Sequence, residues 1–479
     1  MTDWHGGQYR PLTDDDCARI IDAALTVLAE TGAIVATDSG REALRVAGAE
    51  VDQGARIVRF PRSMVEDAIA SAPDSVTLCG RDPEFDCVLE ADRVHLGTGG
   101  TALYVLDRDT GRRRYSTNAD VADCARLTDA LQNLHVFTIN VFPNEIRQQD
   151  DIDVNRFYWS LRNTQKHVMG GVYSLSGTRQ AVELAQMIAG GAEALRRRPF
   201  VSFISLVISP LKIDDIYGEI SCFVAEQGLP VVVPAEPICG TTSPVTLAGN
   251  VLMHLADTLA GVTMVQAVNP GCPTICGSVG STIDLRTMQH LGGCVERGII
   301  NAAVSQLAQK IGLPYYSTAG ASDSKVPDAQ AAYESALTNL IVMMSGANYI
   351  HDAAGLMEFD LTVSYAKMVM DDEIIGMSGR VLEGIEVTDD TLAVDLIQQV
   401  GPGGHFVSEE HTVRHMRDEF YEPRISDRQE RDAWASQGRA DATERARARA
   451  GELLATHEGP GLPPEVDRAI RRRFPAIAE

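Results

Sequence analysis

Residues 315–330, YYSTAGASDSKVPDAQ, put Ser322, Asp323, Ser324 and Lys325 directly between a short apolar run and a long helical one. Other apolar runs end on groups of the same kind. Asn140 and Asn144 follow one, Tyr173 and Ser174 a second, Glu236 and Cys239 a third, and His351, Asp352, Glu358 and Phe359 a fourth. The junctions are rich in hydroxyls, carboxylates and aromatic rings and poor in cations. Strong nucleophiles are scarce among them. Lys325 is the candidate for a lyase or aldolase using a Schiff base, but such a lysine works desolvated on a strand, and Pro327 and Asp328 mark a solvated turn here. His351 and Glu236 each close an apolar run and are singled out as site residues.

Metal ligation is not expected. Cys272 and Cys276 have no partner cysteines nearby, and His411 and His415, one helical turn apart, lack the H-E-x-x-H signature.

The junctions need elements to hold them. Apolar, strand-like runs occur at 134–142, 167–174, 199–209, 229–236, 273–280, 314–320, 348–355 and, weakly, at 404–408 (GHFVS). Helical stretches such as GTRQAVELAQMIAGGAEAL and DAQAAYESALTNLIVMMSG lie between them. Strands apolar on both faces, alternating with helices, imply a parallel sheet covered by helices. Eight such units give an α/β fold of the (β/α)₈ TIM barrel type, with the reactive rim at the strands' C-terminal ends. The expected organisation is an N-terminal α+β region over 1–116, the barrel over 117–408, and charged helices over 409–479 packed on the barrel or on a second subunit. An open doubly wound sheet is the other reading, but no G-x-G-x-x-G follows the first strand.

Composition excludes several classes. A net charge of −24 argues against nucleic acid, whose phosphates need clustered Lys and Arg, and against an anionic membrane surface. The start, MTDWHGGQYRPLTDDD, lacks the basic and apolar segments of a secretory signal, and the nine scattered cysteines read as reduced core residues. The cytoplasm is the expected compartment, and a homo-oligomer the expected state.

Several stretches in order, GGTALYVLD, NTQKHVMGG, PAEPICGTTSPVTLAG, STAGASDSKVPDAQAAYE, SGANYIHDAAGLMEFDLTVSYAKMVMDDEIIGM and GPGGHF, resemble the trimethylamine methyltransferase family over essentially the whole chain. The resemblance implies a (β/α)₈ barrel that moves a methyl group from an amine to the cobalt of a corrinoid (a cobalamin) carried by a separate protein. Family members acting on trimethylamine carry pyrrolysine on the rim, at a position that falls near Ser322 here, and this sequence holds only standard residues. The branch without pyrrolysine acts on quaternary amines such as glycine betaine, proline betaine or carnitine-like compounds. A quaternary ammonium leaves as a neutral amine, so the protein needs mainly to hold the cation and orient its methyl group. The expected cage is Tyr104, Phe359 and a rim tyrosine, Tyr173 or Tyr316. Glu236 faces the cation, His351 binds a substrate carboxylate, and Ser322 forms the lip.

Overall fold

The computed structural model describes residues 3–478. Eight short parallel strands form its central sheet: β1 (His95–Leu96), β2 (Val136–Thr138), β3 (His167–Gly171), β4 (Val201–Ile204), β5 (Val231–Ala235), β6 (Thr274–Ser278), β7 (Tyr315–Thr318) and β8 (Tyr349–His351). Each pairs with its neighbours in sequence order, and β1 pairs with β8 through His95–Tyr349 and Leu96–Ile350. A parallel bridge between Gly97 and Val136, with the His135 amide donating to the Leu96 carbonyl at 2.7 Å, closes the ring.

A helix follows every strand: α1 (Asn118–Ala130), α2 (Gln149–Asn163), α3 (Leu175–Ala189), α4 (Asp215–Gln227), α5 (Leu247–Val268), α6 (Val295–Ile311), α7 (Ala329–Ser345) and α8 (Tyr365–Glu383). The fold is a (β/α)₈ barrel. Seven strands lie where the apolar runs place them. The eighth does not: residues 404–408 carry no strand, and β1 comes instead from the N-terminal HLGTGG stretch. That stretch is apolar for only two residues before its glycines begin, so it reads as a turn, whereas pairing on both edges is what makes it a strand.

The barrel interior is a core of its own. Val136, Met169, Val232, Ile275, Tyr316 and Tyr349 fill it, with Ile204 and Val279 above them. The antiparallel hairpin Val76–Leu78/Cys87–Leu89 joins the same cluster and plugs the N-terminal end. Outside, α5 is apolar on nearly every face because it is covered twice, by the strands within and by the N-terminal helices Asp14–Glu30, Asp38–Val46 and Arg62–Ser71 without. It is long and apolar enough to cross a membrane, yet 78% of its most apolar window is buried in protein. All nine cysteines are free thiols, and eight are buried. Of the charged C-terminal helices, Ala442–Thr456 packs on α8 and α1 and Pro464–Arg473 on α3.

One buried carboxyl on α5 pins the loop after β4. Asp257 accepts from Ser209 Oγ at 2.6 Å and from the Leu211 amide at 2.7 Å. Burial pushes its pKa up to about 7, against these two hydrogen bonds. Between the ordinary carboxyl value and about 7 the folded chain keeps a proton that the unfolded chain has released, so this group lowers stability as pH rises across that interval. Asp257→Asn keeps an acceptor for Leu211 and removes the titration. The variant is expected to gain stability relative to the parent from pH 4 to 7 and to hold a constant difference above, as read by denaturant unfolding at several pH values.

Candidate active site at the barrel mouth

Strand alternation decides which side chains reach the mouth, because every second residue points inward. On β5 and its continuation Val232, Pro234 and Glu236 share the inner face; on β7 Tyr316 does, and on β8 Tyr349 and His351. Three aromatic rings therefore cross one lumen. Tyr316 stacks on His351 with centroids 4.3 Å apart and tilts against Tyr349 at 5.7 Å.

Room for them comes from glycines. A side chain on Gly97 would run into the Tyr349 hydroxyl, and a Cβ on Gly99 would stand 2.5 Å from His351 Cδ2 and from the Asp352 amide. Gly99→Ala is therefore expected to displace His351 and Asp352 and to cost soluble protein or nearly all activity, checked by expression, melting and turnover. A variant that melts and turns over like the parent would contradict this packing.

Arg297, in the first turn of α6, is fully buried and organises the charged part of the mouth. Its Nη2 donates to Asp352 Oδ2 at 2.9 Å and to Thr318 Oγ1 at 3.1 Å, and its Nη1 to Asp360 Oδ2 and the Gly292 carbonyl, both at 3.0 Å. His290 Nε2 lies 3.1 Å from the same Asp360 oxygen. Burial opposes ionisation of Asp360, but Arg297 and His290 overcome it and hold the carboxyl well below its usual range. Burial likewise opposes the charge on Arg297, and its carboxylate neighbours more than restore it.

Glu236 shares this field with His290, Arg297, Asp360 and Asp352. It differs from them in having no hydrogen-bond partner among the described residues, and it keeps some contact with solvent. Burial raises its pKa. Three further polar atoms around it are buried and unpartnered: Asp352 Oδ1, Asp360 Oδ1 and Arg297 Nε. Three carboxylates face one guanidinium here; burial opposes the charge on the His290 imidazole, and Asp360 more than restores it.

Backbone strain marks the same place. Glu358, Phe359 and Asp360 are consecutive non-glycine residues at φ +53°, +62° and +65°. Left-handed backbone costs an L-residue roughly 1–2 kcal/mol, and such residues normally occur singly. The turn is held from all sides. Asp360 binds Arg297, Glu358 pairs with Arg113 at 2.8 Å and accepts from Thr362 Oγ1 at 2.7 Å, and the Glu358 amide donates to the Ser324 carbonyl. Strain maintained by surrounding contacts is a feature of functional sites.

The expected site residues separate into two groups. Glu236, Tyr316 and His351 belong to the mouth, and Phe359 stands in the left-handed turn at its edge, next to Asp360. His351 has both ring nitrogens engaged, Nδ1 donating to the Ser317 carbonyl at 2.7 Å and Nε2 lying 3.1 Å from Asp352 Oδ2, so it orients Asp352 and has no free face for a substrate carboxylate. One face of Phe359 carries the Lys325 ammonium, 4.1 Å from the ring centroid. Lys325 is itself exposed, unlike a Schiff-base lysine.

Tyr104, Tyr173 and Ser322 stand apart. Tyr104 has Tyr115 stacked on it at 4.9 Å and the Arg113 guanidinium 4.2 Å from its centroid, so both faces are engaged. Tyr173 packs edge-on against Phe142 and lies 5.2 Å from Arg156. Ser322 is no lip: it is fully buried and donates to Glu334 at 2.6 Å, while Asp323 accepts from the Gly292 amide and so fixes the strand that presents His290. The polar 322–325 junction is chiefly a brace between α7 and the mouth.

Comparison with known proteins follows the same lines. The family model described as trimethylamine methyltransferase (MTTB) matches residues 4–476. The chain is 35% identical to a trimethylamine methyltransferase MttB of Desulfitobacterium hafniense strain DSM 10664 / DCB-2, over 96% of this chain and 92% of that one. It is 33% identical to a glycine betaine methyltransferase of Desulfitobacterium hafniense strain Y51, over 97% and 96%. Among solved structures it is similar to the monomethylamine methyltransferase MtmB of Methanosarcina barkeri, at 11% identity and a TM-score of 0.47, covering 95% of this chain and 96% of that one.

Proposed function

The chain belongs to the trimethylamine methyltransferase family, and from that premise we propose that it takes a methyl group from a quaternary amine of the betaine type and passes it to a corrinoid carried by a partner protein. The observation that carries this reading is Glu236: a carboxylate with no partner, inside a mouth where carboxylates outnumber the fixed cation. A permanent cation supplies the missing counter-charge. An ammonium that carries no proton asks for no acid or base.

The residues would divide the work as follows. Glu236 attracts the ammonium, with Asp352 and Asp360 behind it. Tyr316 and the outer face of Phe359 offer aromatic contact to the N-methyl groups, worth about 0.5–2 kcal/mol each. Arg297 and His351 do not touch the substrate; they fix the two aspartates. The corrinoid supplies the nucleophilic cobalt(I). Ile204, Leu206 and Val279 stay partly exposed at the strand ends beside Glu236, an apolar approach that fits contact with a cofactor presented by a second protein. Association of the chain into a homo-oligomer fits the apolar side chains left exposed on Ile385, Val387, Val407 and Phe420.

The test is a panel of glycine betaine, proline betaine, carnitine and trimethylamine, each incubated with the chain and free cob(I)alamin. The readout is the spectral conversion to methylcobalamin. A quaternary amine is expected to react and trimethylamine to stay inert. Reaction with trimethylamine alone, or with none of the four, would overturn the proposal.

A further inference from the structure

Between α8 and the last helices the chain makes an excursion, residues 384–416, that contains three short helices: Asp389–Leu392, Val394–Val400 and Glu410–His415. None of the three buries a single residue. A segment with no core needs some other cross-link to hold one shape. The structure places one where the excursion folds back on itself. His411 and His415 lie on one face of their helix with ring centroids 4.3 Å apart. Both Nε2 atoms point at Asp390: that of His415 is 3.0 Å from Oδ2, and that of His411 is 3.0 Å from the backbone oxygen. One ligand atom from each of the three residues falls within 4.8 Å of the other two.

We propose that Asp390, His411 and His415 form a binding site for a divalent transition-metal ion of the zinc class, which staples the two ends of the excursion together. Two imidazoles and a carboxylate are donors of the kind zinc takes, at about 2.0–2.2 Å each, whereas calcium and magnesium prefer oxygen alone. The three ligand atoms, within 4.8 Å of one another, would have to draw together by side-chain rotation to share one ion. Arg414 donates to both carboxylate oxygens of Asp390, to Oδ1 at 3.2 Å and more weakly to Oδ2 at 3.4 Å, so ion binding through Oδ2 displaces the longer contact and keeps the shorter one. A fourth position is left to water. Histidine spacing alone does not disclose the site, because its third ligand stands more than twenty residues upstream.

The experiment uses the full-length, untagged chain stripped with a chelator and titrated with zinc by calorimetry. One ion per chain is expected, with a dissociation constant on the order of micromolar or tighter. His411→Ala and His415→Ala, each at a half-buried position outside any core, should weaken binding by more than about tenfold, and Asp390→Asn should do the same. Zinc should also slow proteolytic cleavage within 384–416 in the parent and in none of the three variants. Absence of stoichiometric binding, or variants that bind zinc as the parent does, would overturn the proposal. Methyl transfer plays no part in the readout, so the result stands apart from the function assigned to the barrel mouth.

Discussion

Glu236→Gln is expected to lower kcat/KM for a quaternary amine by roughly thirty- to several-thousand-fold, the equivalent of about 2–5 kcal/mol for removing one partner of a desolvated charge pair. The substitution keeps the size and shape of the side chain and deletes only its charge. Glu236 makes no hydrogen bond that glutamine would forfeit. It is also a carboxylate whose burial is uncompensated until a cation arrives, so the variant should unfold at the same temperature as the parent or a higher one. The signature is loss of activity without loss of stability. Binding of tetramethylammonium, which has no carboxylate to complicate the result, should weaken in parallel. Unchanged turnover with every amine tested would remove Glu236 from the site and the charge argument with it.

Arg297→Met should act in the opposite pattern, on the fold first. The guanidinium ties together Asp352, Asp360, Thr318 and the Gly292 carbonyl from a fully buried position. Methionine matches much of its length but leaves Asp352 and Asp360 only the imidazoles of His351 and His290 as partners. Removing one partner of a buried ion pair typically costs about 3–5 kcal/mol, and the imidazoles should hold the loss to the lower part of that range. Denaturant unfolding measures this directly. A second effect follows at the left-handed turn. Without its hold on Asp360, residues 358–360 can relax to ordinary backbone, and Phe359 then leaves the edge of the mouth. Protease cleavage between 357 and 362 should therefore accelerate beyond what global destabilisation explains. Arg297→Lys should rescue little, because an ammonium cannot reach four acceptors along two directions as the planar fork does. A stable, uncleaved Arg297→Met would show that the turn is held by its other contacts.

Much of this was legible in the sequence, for particular reasons. β5 reads VVVPA and is buried on both faces, and a run of that kind between helices has few alternatives to a barrel strand. Glu236 and His351 were visible because each ends such a run, which puts it on the rim without further knowledge. β1 was hidden because its glycines, which lower strand propensity, are required by tyrosine and histidine rings more than 200 residues away. Arg297, His290 and Asp360 were hidden for another reason: they stand on a helix start and on excursions, where charge ordinarily means solvent. One signal was available for Arg297. It lies three, four and seven residues before Ile300, Asn301 and Val304, all buried, and a charged residue on the buried face of a helix needs a partner. The roles of Ser322 and Tyr104 depend on which neighbours they meet, Glu334 in one case and Tyr115 with Arg113 in the other. Spacing along the chain does not encode that.

Closure of the ring by β1 and β8 sets the schedule on which the chain can fold as it is made. At 5–20 residues per second, the ribosome delivers β8 roughly 10–50 s after β1, which must sit until then with one edge unpaired. Six more strands emerge in the interval, of which β2 is its proper neighbour and the other five are wrong partners. A two-residue strand followed at once by glycines templates such pairings poorly, so its brevity protects the nascent chain, while the glycines make room for the rings. The interior core draws on both ends of the ring and cannot be completed before Tyr349 arrives. The N-terminal hundred residues are thus the first synthesised and among the last to be locked, and a truncation that removes them would leave an open sheet with two bare edges.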